Sequence, residues 1–163
     1  MTGKSKNAAR LCALFGILTM IACAPEPADH SPRIVDPWIR LAPPGAGMMA
    51  AYLVLENPDE KPRELVAVSS PAFSSVEVHR TEIVDGVARM IAEPALTVPP
   101  GGRAVFEPGG RHLMLHGPAR DLGEDDTVAI AFEFADGARV EIQVPVRRRA
   151  DGGDEGSDPH HGH

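Results

Sequence analysis

The sequence contains almost no cysteine. Its 163 residues include only two, Cys12 and Cys23, and both lie near the amino terminus. Everything after Cys23 therefore lacks a disulfide, a thiol nucleophile and a thiolate metal ligand. Blue-copper electron-transfer sites require a cysteine ligand, so the sequence excludes that class of copper protein.

Long apolar runs and aromatic residues are also scarce. Phe, Trp and Tyr together make up only 4% of the chain. The apolar run from Leu11 to Ala22 is too short for a comfortable membrane span, and it follows a basic start with Lys4, Lys6 and Arg10. These features predict a signal peptide over residues 1–22 and an extracytoplasmic protein.

The end of this segment allows two kinds of processing. Ala22-Cys23 after apolar residues resembles the lipobox of bacterial lipoproteins, although leucine is usual where Met20 stands. The alternative is simple secretion with cleavage after Ala24, but Pro25 would then follow the cleaved bond, which signal peptidase tolerates poorly. We favour lipidation of Cys23, which would attach the protein to a membrane.

Basic charge is low as well. The formal net charge is −7, and the signal segment holds basic residues but no acidic ones, so the rest of the chain is still more acidic. An acidic domain is a poor match for nucleic acid. We expect no nucleic-acid partner, and we expect a monomer.

Glycine and proline, in contrast, are abundant, with 16 residues each. They divide the chain into short elements and favour a many-turned β architecture. Strict alternation in Val128–Phe134 and Val140–Val146, joined by Asp136-Gly137, predicts a hairpin with one buried face. We predict an all-β sandwich of eight or nine short strands over residues 33–147, preceded by a Pro-rich tether (23–32) and followed by a disordered tail (148–163).

Two histidines and two methionines carry the strongest functional signal. In the first pair, ten residues separate His79 from Met90. Asp85-Gly86 lies between β-branched runs and predicts a type I′ hairpin turn, which pairs Thr81 with Met90. His79 and Met90 then become diagonal neighbours on one face of the ribbon, about 7–8 Å apart at the backbone.

The second pair, His112 and Met114, shares a face because side chains two apart on a strand do so. Each pair is a half-site, and a sandwich can bring two half-sites together. Imidazole nitrogen combined with soft thioether sulfur favours Cu(I) among the common biological metals. Taken singly, however, a methionine on a strand is usually core filling, and a histidine is usually a surface residue.

The full spacing resembles the motif of the periplasmic copper chaperones of the PCuAC type: His, ten residues, Met, twenty-one residues, His, one residue, Met. Similar landmarks from Val35 to Val146 are Trp38, Ala51-Tyr52, Asn57, Ser70-Pro71, Pro108-Gly109-Gly110 and Val144-Pro145-Val146. The resemblance implies a cupredoxin-like, immunoglobulin-like Greek-key sandwich that binds Cu(I) through His79, Met90, His112 and Met114. It also implies delivery of copper towards cytochrome c oxidase assembly, to an oxidase subunit or with a Sco-type thiol protein.

Three positions depart from the family pattern. Arg80 and His116 stand where many members carry methionine, and Arg111 replaces a frequent aromatic residue. His116 shares a face with His112 and Met114, so it is an alternative ligand, although we favour a role as a histidine at the rim of the site.

The carboxyl-terminal tail offers a second group of candidate ligands, His160, His161 and His163. Three histidines within four residues can chelate a divalent cation such as Cu(II). Some members of the resembled family carry such extensions. The alternative is a solvated tail with no metal role.

Other functions compete with copper delivery. Glu77, Glu82 and Asp85 could do acid–base chemistry, but no nucleophile motif or phosphate loop accompanies them, so we predict that the protein is not an enzyme. It could instead be a structural or interaction lipoprotein, or a scavenger of zinc, nickel or copper that acts through the tail. For a copper carrier, we expect His79→Ala or Met114→Ala to weaken Cu(I) binding strongly and leave the fold intact.

Overall fold

The computed structural model describes residues 30–148. Its ten strands are β1 (Arg33–Arg40), β2 (Met48–Glu56), β3 (Arg63–Ser69), β4 (Phe73–Val84), β5 (Val87–Ala92), β6 (Leu96–Val98), β7 (Arg103–Phe106), β8 (Arg111–Pro118), β9 (Thr127–Phe134) and β10 (Arg139–Arg147). Within this range there is no helix, and so none long and apolar enough to cross a bilayer. The predicted all-β class is confirmed, with ten strands in place of eight or nine. The signal segment, Cys23 and the tail histidines lie outside the described residues.

The strands form two layers around one core. Their order is β5-β4-β8-β2-β1-β10-β9-β3-β6, with β7 beside β2. Strand β10 links the layers, because its end pairs in parallel with β1 while the rest pairs antiparallel with β9. Leu113 and Leu115 from β8 join Ile130 and Phe132 from β9 in a single buried cluster. Because side chains alternate along a strand, His112 and Met114 of β8 lie on the opposite face of its sheet.

Strand β1 contains a bulge, where one extra residue of β1 stands against β2. Asp36 has a φ of 47°, and the register against β2 shifts between Val35 and Trp38. Pro37 lies within this bulge, as suits a residue that cannot donate to the ladder. Trp38 then stacks on Tyr52, with ring centroids 4.7 Å apart, on the face away from the core.

The β4–β5 hairpin has the predicted register. Asp85 and Gly86 have φ values of 53° and 77°, as a type I′ turn requires. Thr81 pairs with Met90, and His79 pairs with Ala92. Strand β5 ends the strand order on this side, and all its residues are exposed. This hairpin fixes the face on which Met90 lies.

Candidate metal centre

The four predicted ligands lie on one face of three neighbouring strands. Strand β8 pairs with β4 so that His79 stands directly opposite His112, with ring centroids 6.1 Å apart. Met114 follows two positions along β8, and Met90 is diagonal to His79 across the hairpin. The two half-sites therefore meet within one sheet, side by side, and do not need to be brought together across the two layers.

The two half-sites differ greatly in burial. His112 and Met114 on β8 are only 6% and 8% exposed, whereas Met90 on β5 is 63% exposed. His79 on β4 is intermediate, with 16% of its side chain exposed. We therefore expect Met114→Ala to lower the stability of the fold, because removing a buried methionine side chain leaves a cavity.

The ring of His112 is held by the backbone. Its Nδ1 lies 3.2 Å from the carbonyl oxygen of Gly110, and this oxygen also accepts a hydrogen bond from the Thr81 amide at 3.2 Å. A carbonyl oxygen can only accept, so Nδ1 of His112 carries the proton. The neutral ring then presents the lone pair of Nε2 to a metal.

The ring of His79 is held by a side chain. Its Nε2 lies 2.8 Å from Oε2 of Glu77, which shares its face two residues earlier on β4. The hydrogen bond from His79 lowers the pKa of Glu77. The other nitrogen, Nδ1 of His79, is buried and has no hydrogen-bond partner.

This orphaned nitrogen is the observation that fits a metal. Buried polar atoms in folded proteins almost always have partners, so an exception calls for an explanation such as a missing ion. Within residues 30–148, no three His, Cys, Asp or Glu side chains converge on one point. Nitrogen and oxygen donors therefore do not complete a site here, and the methionine sulfurs would have to complete it.

An ion pair ties the outer ribbon to the central strand. The guanidinium of Arg111 donates to both carboxylate oxygens of Glu93, at 2.6 and 3.1 Å, and stacks over the ring of Phe106. Glu93 follows the end of β5, and its amide bonds to the Val78 carbonyl. Arg111, a departure from the family pattern, thus stabilises the β5 side of the candidate site.

His116 lies farther along the same face, away from His79. It is in register with Met48 on β2 and Ser75 on β4. Its Nε2 is 3.9 Å from Oε2 of Glu77, beyond hydrogen-bonding distance, and a third of its side chain is exposed. This position agrees with a rim histidine, and its role as an additional ligand stays a prediction.

One cavity of the described chain lies beside β4 but is separate from these donors. It has a volume of about 180 Å³ and lies between β3 and β4, lined by Leu65–Val68, Val76–Val78 and Ala92–Pro94. None of the four predicted ligands lines it. The candidate ligands therefore lie on the sheet surface outside this cavity, with Met90 as the most exposed of the four.

Sequence reasoning missed two groups that orient the ligands. Glu77 was considered only as an acid–base residue, although its spacing of two from His79 already placed both on one face of a strand. The Gly110 carbonyl had no comparable signal, because a backbone acceptor is set by the turn geometry. Gly110 itself is tightly placed, since a Cβ there would lie 3.1 Å from Cγ of Glu107.

Comparison with known proteins first defines the class, a PCuAC-like β-sandwich. The copper-bound PCuAC domain from PmoF2 superposes with a TM-score of 0.61 at 24% identity, over 73% of this chain and 94% of that domain, and supports the fold. The solution structure of CuI-DR1885 from Deinococcus radiodurans is 28% identical, with a TM-score of 0.57 over 72% of this chain and 80% of that one. The resemblance to PCuAC-type copper chaperones is confirmed.

The family follows from the sequence comparison. Residues 33–146 match the family described as "Putative lipoprotein LpqE-like", so the chain belongs to this family. "Uncharacterized protein RP573" of Rickettsia prowazekii is 33% identical over 124 residues, 74% of this chain and 68% of that protein. "Putative lipoprotein Lxx21020" of Leifsonia xyli subsp. xyli is 31% identical over 116 residues, 71% of this chain and 69% of that protein.

Proposed function

We propose that this protein is an extracytoplasmic metallochaperone that carries Cu(I) on His79, Met90, His112 and Met114. The observation that carries the proposal is the direct pairing of His79 with His112, next to a buried imidazole nitrogen that has no partner. The similarity to CuI-DR1885, a protein determined with Cu(I), supports the same metal. Neutral thioethers suit Cu(I) and add no charge to the site.

We further propose delivery rather than storage. The donor set lacks thiolates, and one of its four ligands is largely exposed, so a partner with a thiolate can approach and replace a thioether. A subunit of cytochrome c oxidase or a Sco-type thiol protein would be such an acceptor. The ion is cargo in this scheme, and the protein itself performs no catalysis.

We propose attachment to the outer side of the cytoplasmic membrane or to another extracytoplasmic membrane surface through lipid on Cys23. This location is supported by the signal-like amino terminus and by the lipoprotein names of the family and of the Leifsonia relative. Labelling cells with a radioactive fatty acid would test it, with Cys23→Ser as the control that should lose the label.

An anaerobic titration with Cu(I) against a competing chelator tests the central proposal. We expect one tightly bound ion, with X-ray absorption reporting two sulfur and two nitrogen neighbours. His79→Ala should reduce the affinity, while deletion of Pro159–His163 should leave this site unchanged. Loss of all metal uptake on deletion of the tail would instead favour a scavenger, and absence of any Cu(I) complex would favour an interaction lipoprotein.

A further inference from the structure

The two facing histidines are oriented by different groups, and this difference has a consequence for the metal. We propose that Glu77 is a positioning residue that holds the proton of His79 on Nε2, so that His79 binds Cu(I) through Nδ1 while His112 binds through Nε2. The inference rests on the proposed copper site and assigns its nitrogen atoms.

The contact between Glu77 and His79 fixes the position of a proton. An ionised carboxylate can only accept hydrogen bonds, so the 2.8 Å contact requires a proton on Nε2 of His79. Half of the Glu77 side chain is exposed, and no arginine or lysine among the described residues pairs with it. Its ion-pair partners in the described part of the chain are the two histidines, His79 at hydrogen-bonding distance and His116 beyond it.

The opposite nitrogen of the His79 ring, Nδ1, is buried without a partner. A buried nitrogen without a partner has lost its hydration whether it carries a proton or a lone pair, but only a lone pair there can be satisfied by a cation. With Nε2 protonated, Nδ1 becomes the metal-binding atom, and the carboxylate behind the ring raises its basicity.

The ring centroids of His79 and His112 lie 6.1 Å apart across the site. Bonds of about 2.0 Å to imidazole nitrogen, the length typical of zinc, place the centres of two rings that share one ion about 5–6 Å apart, depending on the angle at the ion. The apo arrangement is therefore already close to the spacing that an ion between the rings requires.

His79 and His112 differ in the kind of group that orients each ring. His112 is oriented by the carbonyl of Gly110, which no side-chain substitution removes. His79 is oriented by the side chain of Glu77, so mutation of Glu77 should alter one histidine and spare the other. A merely structural role for Glu77 would not produce this selectivity.

Long-range proton–nitrogen NMR spectra of the ¹⁵N-labelled protein at neutral pH test the assignment directly. In the metal-free protein, we expect the proton of His79 on Nε2 and that of His112 on Nδ1. On anaerobic addition of Cu(I), which is diamagnetic, the large shift changes should fall on Nδ1 of His79 and Nε2 of His112. A proton on Nδ1 of metal-free His79, or a Cu(I)-induced shift on its Nε2, would overturn the inference.

Two substitutions at Glu77 separate its hydrogen bond to His79 from its negative charge. Glu77→Ala removes both the acceptor and the charge, and we expect a mixture of His79 tautomers and Cu(I) affinity lower by about 10–100-fold. Glu77→Gln removes the same charge but keeps a carbonyl oxygen as acceptor, so it should restore the tautomer and most of the affinity. Glu82→Ala, which removes a carboxylate paired with Arg80 on the same strand, is the control and should change neither.

The outcomes distinguish this inference from the proposed function. If Glu77→Ala and Glu77→Gln weaken binding equally and the His79 tautomer persists in both, charge rather than orientation matters and the inference fails. If the wild-type protein binds no Cu(I), the proposed function fails, and the metal-free spectra still report whether Glu77 sets the tautomer. Circular dichroism of each variant checks that the fold is retained.

Discussion

The two halves of the candidate site are built in opposite ways. His112 and Met114 belong to β8, which has paired neighbours on both sides, and both side chains are buried. Met90 belongs to β5, which ends the strand order and is exposed throughout. One half is therefore fixed by the packing of the sandwich, whereas Met90 in the other half is open to solvent.

The largest effect should come from the buried half. Met114→Ala removes a copper ligand and also leaves a cavity beside the sheet. We expect Cu(I) affinity to fall by more than the roughly 10–100-fold that loss of a supporting residue costs. We also expect the free energy of unfolding to drop by about 2–5 kcal/mol. Urea denaturation of the metal-free protein measures the second effect, and an unchanged midpoint would contradict the burial of Met114.

The exposed half should lose affinity without losing stability. Met90→Ala removes a ligand whose side chain is 63% exposed. We expect weaker Cu(I) binding in chelator competition, with the free energy of unfolding within about 0.5 kcal/mol of wild type. Met48→Ala is the matched control, since Met48 is also exposed, at 53%, and lies outside the four-ligand set. Equal affinity in Met90→Ala and wild type would remove Met90 from the site.

The methionines of the two halves should be oxidised at different rates. Dilute hydrogen peroxide converts accessible methionine to its polar sulfoxide, which no longer offers a soft sulfur. We expect Met90 and Met48 to be oxidised before Met114 and Met49, which are 8% and 7% exposed. Peptide mass spectrometry follows each site, and loss of Cu(I) binding should track Met90. Oxidation of Met114 at the same rate as Met90 would contradict the difference in burial between the two halves.

The smallest effect concerns Asp126, a carboxylate outside both halves of the candidate site. It affects how the stability of the whole domain depends on pH. Hydrogen bonds from Arg120 and the Gly123 amide lower the pKa of Asp126 from 3.8 to about 2. Its contribution to stability is therefore present above the unfolded pKa of 3.8 and is lost as pH falls through about 2. Thermal denaturation should find Asp126→Asn less stable than wild type at pH 6, with the difference vanishing near pH 2. A constant difference would contradict the shifted pKa.

The sequence predicted the hairpins well and the assembly of the site only in part. Asp85-Gly86 and Asp136-Gly137 specify local turns, and a turn fixes the register of the strands that flank it. The pairing of β4 with β8 is different, because these strands are far apart in sequence and no local signal states which strand lies beside which. That pairing had to come from the structure or from the family resemblance.

Burial was the other unpredictable property. Met90 and Met114 have the same side chain and both lie on strands, yet Met90 is largely exposed and Met114 is buried. The difference depends on the position of a strand in the sheet order, which composition and periodicity do not encode. The orienting contacts of Glu77 and the Gly110 carbonyl likewise depend on geometry that forms only in the folded chain.

The tight turn at Asp85-Gly86 fixes the number of residues between His79 and Met90, and the proposed metal site depends on that number. Side chains alternate along a ribbon, so an insertion of a single amino acid that slipped the pairing by one would carry the sulfur of Met90 to the reverse side. The remaining imidazoles and one thioether would form a different coordination environment, with no residue of the site itself having changed. The register of one hairpin therefore decides whether the thioether of Met90 lies on the same face as the other three proposed donors, and hence which ion that face would prefer.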